Sequence, residues 1–226
     1  MEFDDWEPVY EEILADFGYD RAGDERARDV LAEYVDPFDV SRLNCTGKTV
    51  AIAGGASSLT DDDELEVAAS ADAVFAASTS VDVLGDAGIT VDLMVTDLDK
   101  NPGTARRLTE SGTPVAAHAH GDNVTAVREH IPTFERENVC GTTQAAPVER
   151  VANYGGFTDG DRAAFLADHC GAAELVFPGW DFDDPGVGPE KARKLGWAER
   201  LLYWLEGRRG ERFGVLDGRR RGIDPV

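Results

Sequence analysis

Lysine is scarce in this 226-residue chain: Lys48, Lys100, Lys191 and Lys194 are the only lysines among 22 basic residues, and the other basic residues are arginines. Acidic residues number 44, so the net charge is −22. That excess speaks against nucleic acid as a partner, because phosphate neutralisation needs clustered Lys and Arg. The three cysteines, Cys45, Cys140 and Cys170, lie far apart and form no C-x-x-C pair, which points to a reducing compartment. No charge-free run approaches the roughly 20 residues of a membrane span, and no signal-peptide h-region follows Met1, so a cytoplasmic location without a membrane partner is expected. A G-x-G-x-x-G fingerprint, a Walker A loop, a serine nucleophile elbow and a reactive-cysteine context are all missing.

What is present suits a folded protein. At 42% hydrophobic the chain can bury a sizeable core, and its length fits one α/β domain, alone or with a small appendage. Acid clusters such as Asp61-Asp62-Asp63 and Asp183-Asp184 are spread along the chain and not gathered into a tail. Their mutual repulsion is screened at high salt, where the Debye length falls to about 3 Å at 1 M. An acidic, lysine-poor surface of this kind is expected of a protein from a salt-accumulating cytoplasm.

Residues 1–46 read as a helical cap. Trp6, Val9, Tyr10, Ile13, Leu14 and Phe17 follow helical spacing up to Gly18, and a second helix runs from about Asp24 to Tyr34 before Pro37. Residues 47–226 have a different character. Short apolar runs at 49–53, 73–77, 91–96, 114–117 and 174–178, with another ending at Cys140, alternate with helical patterns. This predicts an α/β fold with a mostly parallel sheet covered by helices on both faces. Ligands of such sheets bind at the carboxyl ends of the strands, and the polar motifs of this sequence follow the apolar runs.

Four motifs carry chemistry. In Gly54-Gly55-Ala56-Ser57-Ser58, paired glycines after a strand allow a tight turn that exposes N–H groups to an anion, with two hydroxyls nearby; a turn without a ligand explains the glycines as well. In Thr96-Asp97-Leu98-Asp99, two carboxylates at a strand exit can share a divalent cation such as Mg²⁺, or Asp99 can cap the helix opening near Pro102. His118-Ala119-His120-Gly121-Asp122-Asn123 lacks a complete zinc ligand set and better suits a nucleotide or substrate pocket, or one His packs and Asp122 caps a helix. In Gly155-Gly156-Phe157-Thr158-Asp159-Gly160-Asp161-Arg162, capping explains one aspartate, and a metal or ribose contact would explain both. Thr142-Thr143-Gln144 offers uncharged hydrogen bonds suited to a heteroaromatic ring, and Asp181 places an acid after the last apolar run. The arginines of 208–224 suit either phosphate steering or a subunit contact, or a terminal hairpin that pairs with the acidic body.

Together, G-G-A-S-S-L, V-T-D-L-D, H-A-H-G-D-N, T-T-Q, G-G-F-T-D-G-D-R-A and G-W-D-F resemble the archaeal 6-hydroxymethyl-7,8-dihydropterin pyrophosphokinase family, in order from Lys48 to Leu205, as a halophilic member. In layout the chain is also similar to thiamine pyrophosphokinases. The resemblance implies Mg²⁺-dependent transfer of diphosphate from ATP to a dihydropterin, releasing AMP, with a product that feeds folate or methanopterin synthesis. It implies Asp97 and Asp99 as Mg²⁺ ligands and, with Asp161, as catalytic residues. Gly54, Gly55, Ser57, Ser58, Asp122 and Asn123 would hold the nucleotide. His118, His120, Thr143, Gln144, Gly156, Asp159 and Asp181 would line the pterin side. Lys100 departs from the family pattern, in which a glycine is expected after T-D-L-D. A homo-oligomer is compatible with all of this. The competing readings are a diphosphotransferase acting on another acceptor, a glycosyltransferase-like enzyme, and a non-catalytic nucleotide- or sugar-nucleotide-binding domain.

Overall fold

Each apolar run becomes a strand in the computed structural model, which describes residues 1–226. The strands are β1 (Thr49–Ala53), β2 (Ala73–Ala77), β3 (Leu93–Thr96), β4 (Val115–Ala119), β5 (Val139–Thr143) and β6 (Glu174–Val176). They form one parallel sheet in the order β5-β4-β3-β2-β1-β6.

Alternation along the strands shows why both faces are covered. Val50, Ile52, Phe75, Leu93, Val95 and Ala116 belong to one buried cluster. Their immediate neighbours Ala51, Ala53, Val74, Ala76, Met94, Val115 and Ala117 belong to a second. Successive side chains point to opposite faces of a strand, so the sheet itself divides the two cores.

Topology assigns a set of helices to each core. From β1 to β5 the chain steps outward through α3 (Asp62–Ser70), α4 (Ser80–Asp86), α5 (Pro102–Glu110) and α6 (Val124–His130). Right-handed crossovers running in one direction put these helices on one face. The chain then reverses: α7 (Asp159–His169) crosses the other face beneath β1, β2 and β3 and delivers β6 to the far side of β1. The topological switch therefore lies between β1 and β6, where Gly54 N donates to Pro178 O at 2.9 Å.

The N-terminal helices straddle the sheet. Trp6, Val9, Tyr10, Ile13 and Leu14 of α1 (Phe3–Phe17) join the α7 core, while Ala27 and Leu31 of α2 (Arg21–Ala32) join the other. Gly18, in the left-handed region at φ 70°, turns the chain between them. The long α8 (Pro189–Arg209) packs on α7 through Leu201, Leu202 and Leu205. It is tied to α1 by Trp197 Nε1, which donates to Asp16 Oδ2 at 2.8 Å.

Arg208, Arg209, Arg219 and Arg220 of the C-terminal segment pair with acidic residues, without a hairpin. Residues after α8 form two short 3₁₀ turns, Gly214–Leu216 and Arg220–Gly222. Arg209 meets Asp168 at 2.6 Å, Arg220 meets Glu206 at 2.6 Å, and Arg219 meets Asp183 and Glu199. None of these arginines lines the cavity described next. No helix is long and apolar enough to cross a membrane.

Candidate active site

A cavity of about 750 Å³ opens over the carboxyl ends of the strands. Its centre is the exit of β3. Leu98, buried, has φ 69°, a left-handed conformation that costs a branched side chain energy and marks a constrained turn. Its N–H donates to Thr96 Oγ1 at 3.0 Å, and Asp99 N donates to Asp97 Oδ1 at 3.2 Å. With Leu98 directed into the core, Asp97 and Asp99 on either side both line the cavity.

The neighbouring strand exit is clamped to this one. Asn123 Nδ2 donates to Asp97 O and to His118 O, each at 2.7 Å, while its Oδ1 accepts from His120 N at 3.0 Å. His120 Nε2 lies 3.6 Å from Asp97 Oδ2. Burial works to raise the Asp97 carboxyl, but His120, Asp99 and Arg162 outweigh it and hold the group well below the usual carboxylate range. Burial and the adjacent Asp97 push Asp99 up to about 6. Asp159, the first residue of α7, is raised to about 7 by burial and by Asp97, against the pull of Arg162, whose Nη1 lies 3.2 Å away.

Of the expected site residues, Gly54, Gly55, Asp97, Asp99, His120, Asp122, Gln144, Asp159 and Asp181 meet in this cavity. Gly54 is required sterically: a Cβ there would come within 2.4 Å of Gly179 O and 2.9 Å of the Trp180 ring.

The others lie elsewhere, for identifiable reasons. Asp161 is fully buried in a capping box, accepting from Phe157 N at 2.6 Å and from Thr158 N at 2.8 Å, so its carboxylate is committed to the start of α7 and does not line the cavity. Gly156, at φ 92°, serves the same turn; a Cβ there would meet Arg162 Cα at 2.6 Å. Ser57 and Ser58 belong to a 3₁₀ turn outside the cavity. His118 and Thr143 are buried because β4 and β5 run beyond the apolar residues that define them in the sequence. His118 Nδ1 pairs with Thr142 Oγ1 at 3.1 Å, and burial holds the ring well below its ordinary pKa. Asn123 organises the strand exits through the three bonds above and does not line the cavity.

The structure adds residues that sequence reasoning passed over. Asp24 of α2 is buried at the cavity wall, accepting from Tyr10 OH at 2.7 Å, Gln144 Nε2 at 2.8 Å and Gly121 N at 2.7 Å. Gln144 Oε1 in turn accepts from Arg162 Nη2 at 3.3 Å, so a directional chain runs from Arg162 through Gln144 to Asp24. Asp24 stands three and seven residues before Ala27 and Leu31, and this spacing places it on the buried face of the helix. Trp180 also lines the cavity, fixed by donation from Nε1 to Ile52 O at 2.8 Å, and Gly160 approaches its ring so closely that a Cβ would meet it at 2.6 Å.

Fold and cavity together define a parallel α/β protein with a strand-end cavity that combines carboxylates with cationic side chains. Residues 27–186 match the family of 6-hydroxymethylpterin diphosphokinase MptE-like proteins, and the chain belongs to that family. It is 36% identical to the 6-hydroxymethyl-7,8-dihydropterin pyrophosphokinase of Methanothermobacter thermautotrophicus, over 91% of this chain and 96% of the relative. It is also 36% identical to the enzyme of that name from Pyrococcus furiosus, over 91% and 95%, and 29% identical to that from Methanocaldococcus jannaschii, over 91% and 96%.

Proposed function

We propose that this protein transfers the terminal diphosphate of ATP to the hydroxymethyl oxygen of 6-hydroxymethyl-7,8-dihydropterin, with Mg²⁺ as cofactor. The observation that carries this reading is the convergence of Asp97, Asp99, Asp159 and Arg162 in one strand-end cavity, in a chain whose relatives bear that name.

The donor set fits the metal. No three His, Cys, Asp or Glu side chains form a cage that could hold an ion unaided. Mg²⁺ is typically bound by one or two carboxylates, with waters and substrate phosphates completing its octahedron. Asp97 and Asp99 would hold it, and the bound ion supplies neutralisation of the phosphate charge.

In the reaction the acceptor oxygen bonds to the β-phosphorus of ATP, the bond from that phosphorus to the α,β-bridging oxygen breaks, and AMP leaves. Asp159 lines the cavity as a carboxylate whose one protein partner is Arg162, and it is placed to receive the hydroxyl proton. Arg162 is held by Gln144 and Asp159 and presents a fixed positive charge beside the transferring group. Trp180 offers a flat, rigid wall for a heteroaromatic ring, and Gly55, where a Cβ would meet only Thr79 Oγ1 at 4.0 Å, lets the backbone approach the ligand. Most of the acceleration comes from this positioning and from electrostatics.

The test is a mass-resolved assay of ATP and Mg²⁺ with the dihydropterin and thiamine as competing acceptors. The expected products are AMP and the pterin diphosphate, with Asp97→Asn lowering transfer by several orders of magnitude in a protein that still folds. Thiamine diphosphate as the product would refute the acceptor assignment. ATP binding without AMP formation would refute the enzyme assignment, and full activity in Asp97→Asn would remove the metal site.

A further inference from the structure

Lysine is rare in this chain, and its placement is not random. Three of the four lysines, Lys100, Lys191 and Lys194, line the strand-end cavity, while Lys48 precedes β1 at the opposite end of the sheet. The arginines, by contrast, are largely spent on ion pairs with surface carboxylates. Lys194 is also committed: its Nζ lies 3.2 Å from Glu190 Oε1, which accepts from Tyr19 OH as well. Lys100 and Lys191 form no ion pair within 4.0 Å, yet each stands beside a carboxylate of the site, Lys100 by Asp99 and Lys191 by Asp159. They reach the cavity from different elements, the exit of β3 and the first turn of α8.

A third group points the same way. Ser78, at the exit of β2, lines the cavity, has φ 42° and is 8% exposed, and its hydroxyl is buried with no hydrogen-bond partner. A buried hydroxyl without a partner, in a left-handed turn that a β-carbon disfavours, marks a place where a ligand atom completes the structure.

We propose that Ser78, Lys100 and Lys191 form the cradle for the polyphosphate chain of the donor. Ser78 Oγ donates to a non-bridging oxygen, and the two ammonium groups close on the chain from opposite elements. In a molecule with a net charge of −22 the overall field repels a polyanion, and two unpaired ammonium groups at the cavity wall offset that repulsion locally. The identity of the donor as ATP rests on the diphosphotransferase reading; the cradle itself requires only a polyphosphate.

Calorimetric binding of α,β-methylene-ATP with Mg²⁺, at one fixed high KCl concentration, tests it without turnover. Lys100→Gln and Lys191→Gln should each weaken binding by about tenfold to a hundredfold, and Ser78→Ala by about three- to tenfold. Lys191→Arg should recover most of the loss, Lys48→Gln should match the parent protein, and inorganic tripolyphosphate should show the same ranking. Adenosine, which lacks phosphates, should bind all variants alike. Affinities of Lys100→Gln and Lys191→Gln within twofold of the parent would overturn the cradle, as would an equal loss in Lys48→Gln or a parallel loss of adenosine binding. If this ranking holds but no pterin diphosphate forms, the cradle stands and the proposed reaction fails; if transfer occurs and the lysine variants bind normally, the reverse is true.

Discussion

Replacing Asp24 with asparagine tests whether the hydrogen bonds that join the N-terminal helices to the cavity are directional. The carboxylate accepts three bonds, from Tyr10 OH at 2.7 Å, Gln144 Nε2 at 2.8 Å and Gly121 N at 2.7 Å. Asparagine supplies one oxygen, which satisfies Gly121, and turns an NH₂ group toward the other two donors. Tyr10 can rotate its hydroxyl to accept. Gln144 cannot reverse its amide, because its Oε1 already accepts from Arg162 at 3.3 Å and guanidinium has no acceptor. One buried donor–donor confrontation remains, worth about 2 kcal/mol. For a chain of this length that corresponds to a Tm lowered by about 4–8 °C. Asp24→Ala, which strands all three donors, should cost more. The second substitution Gln144→Glu in the Asp24→Asn background presents an oxygen to both Arg162 and Asn Nδ2, and should recover at least about 1 kcal/mol in a double-mutant cycle. Urea unfolding followed by tryptophan fluorescence reads these differences, since Trp6 Nε1 donates to Gln144 O at 2.9 Å within the same network. Asp24→Asn unfolding within about 0.5 kcal/mol of the parent, or a double variant no more stable than the single, would refute the directional network.

Gly54→Ala should lower stability by about 1–3 kcal/mol in the same unfolding experiment, because its Cβ would press on Gly179 O at 2.4 Å and part the exits of β1 and β6; a neutral result would mean that these exits yield freely. Glu206 is buried, and burial works to raise its carboxyl, but Arg220 and the Phe213 N–H outweigh that and hold it below the usual range. A depressed folded-state pKa contributes stability above the unfolded pKa and loses it as pH falls through the folded value. The stability gap between the parent and Glu206→Gln should therefore be full at pH 7 and shrink on acidification, and a gap independent of pH would contradict the ion-pair account. The unfolding midpoint should rise as KCl increases from 0.1 to 1 M, where the Debye length falls from about 10 Å to about 3 Å; full stability in dilute buffer would argue against salt adaptation.

The sheet was readable because parallel strands are buried on both faces and stand out as apolar runs between helical patterns. The placement of the acid pair after β3 and of the glycines after β1 at the carboxyl ends of the sheet was readable for a related reason, since both motifs directly follow such runs. His118 and Thr143 lie inside strands because a polar residue can continue a strand whose two faces are both covered, His118 on the Ala116 face and Thr143 on the Val139 face. Asp161 sits in a capping box, which looks like a catalytic carboxylate in sequence when two aspartates flank a glycine. Asp24 escaped notice because a buried acid on a polar helix is betrayed only by its register with Ala27 and Leu31, and its partners Gln144 and Gly121 lie about a hundred residues away.

Local pattern was thus enough for the α/β class, the strand positions and the end of the sheet that carries the site, because burial on both faces and tight turns leave marks within a few residues. The tertiary structure decided which acids face the cavity and which cap a helix. It also brought α2, α7 and α8 together around the strand ends, so that Asp24, Arg162, Lys100, Lys191 and Lys194 meet there. Those outcomes depend on where each strand stops and on packing between segments remote in sequence, and neither is encoded in any local motif.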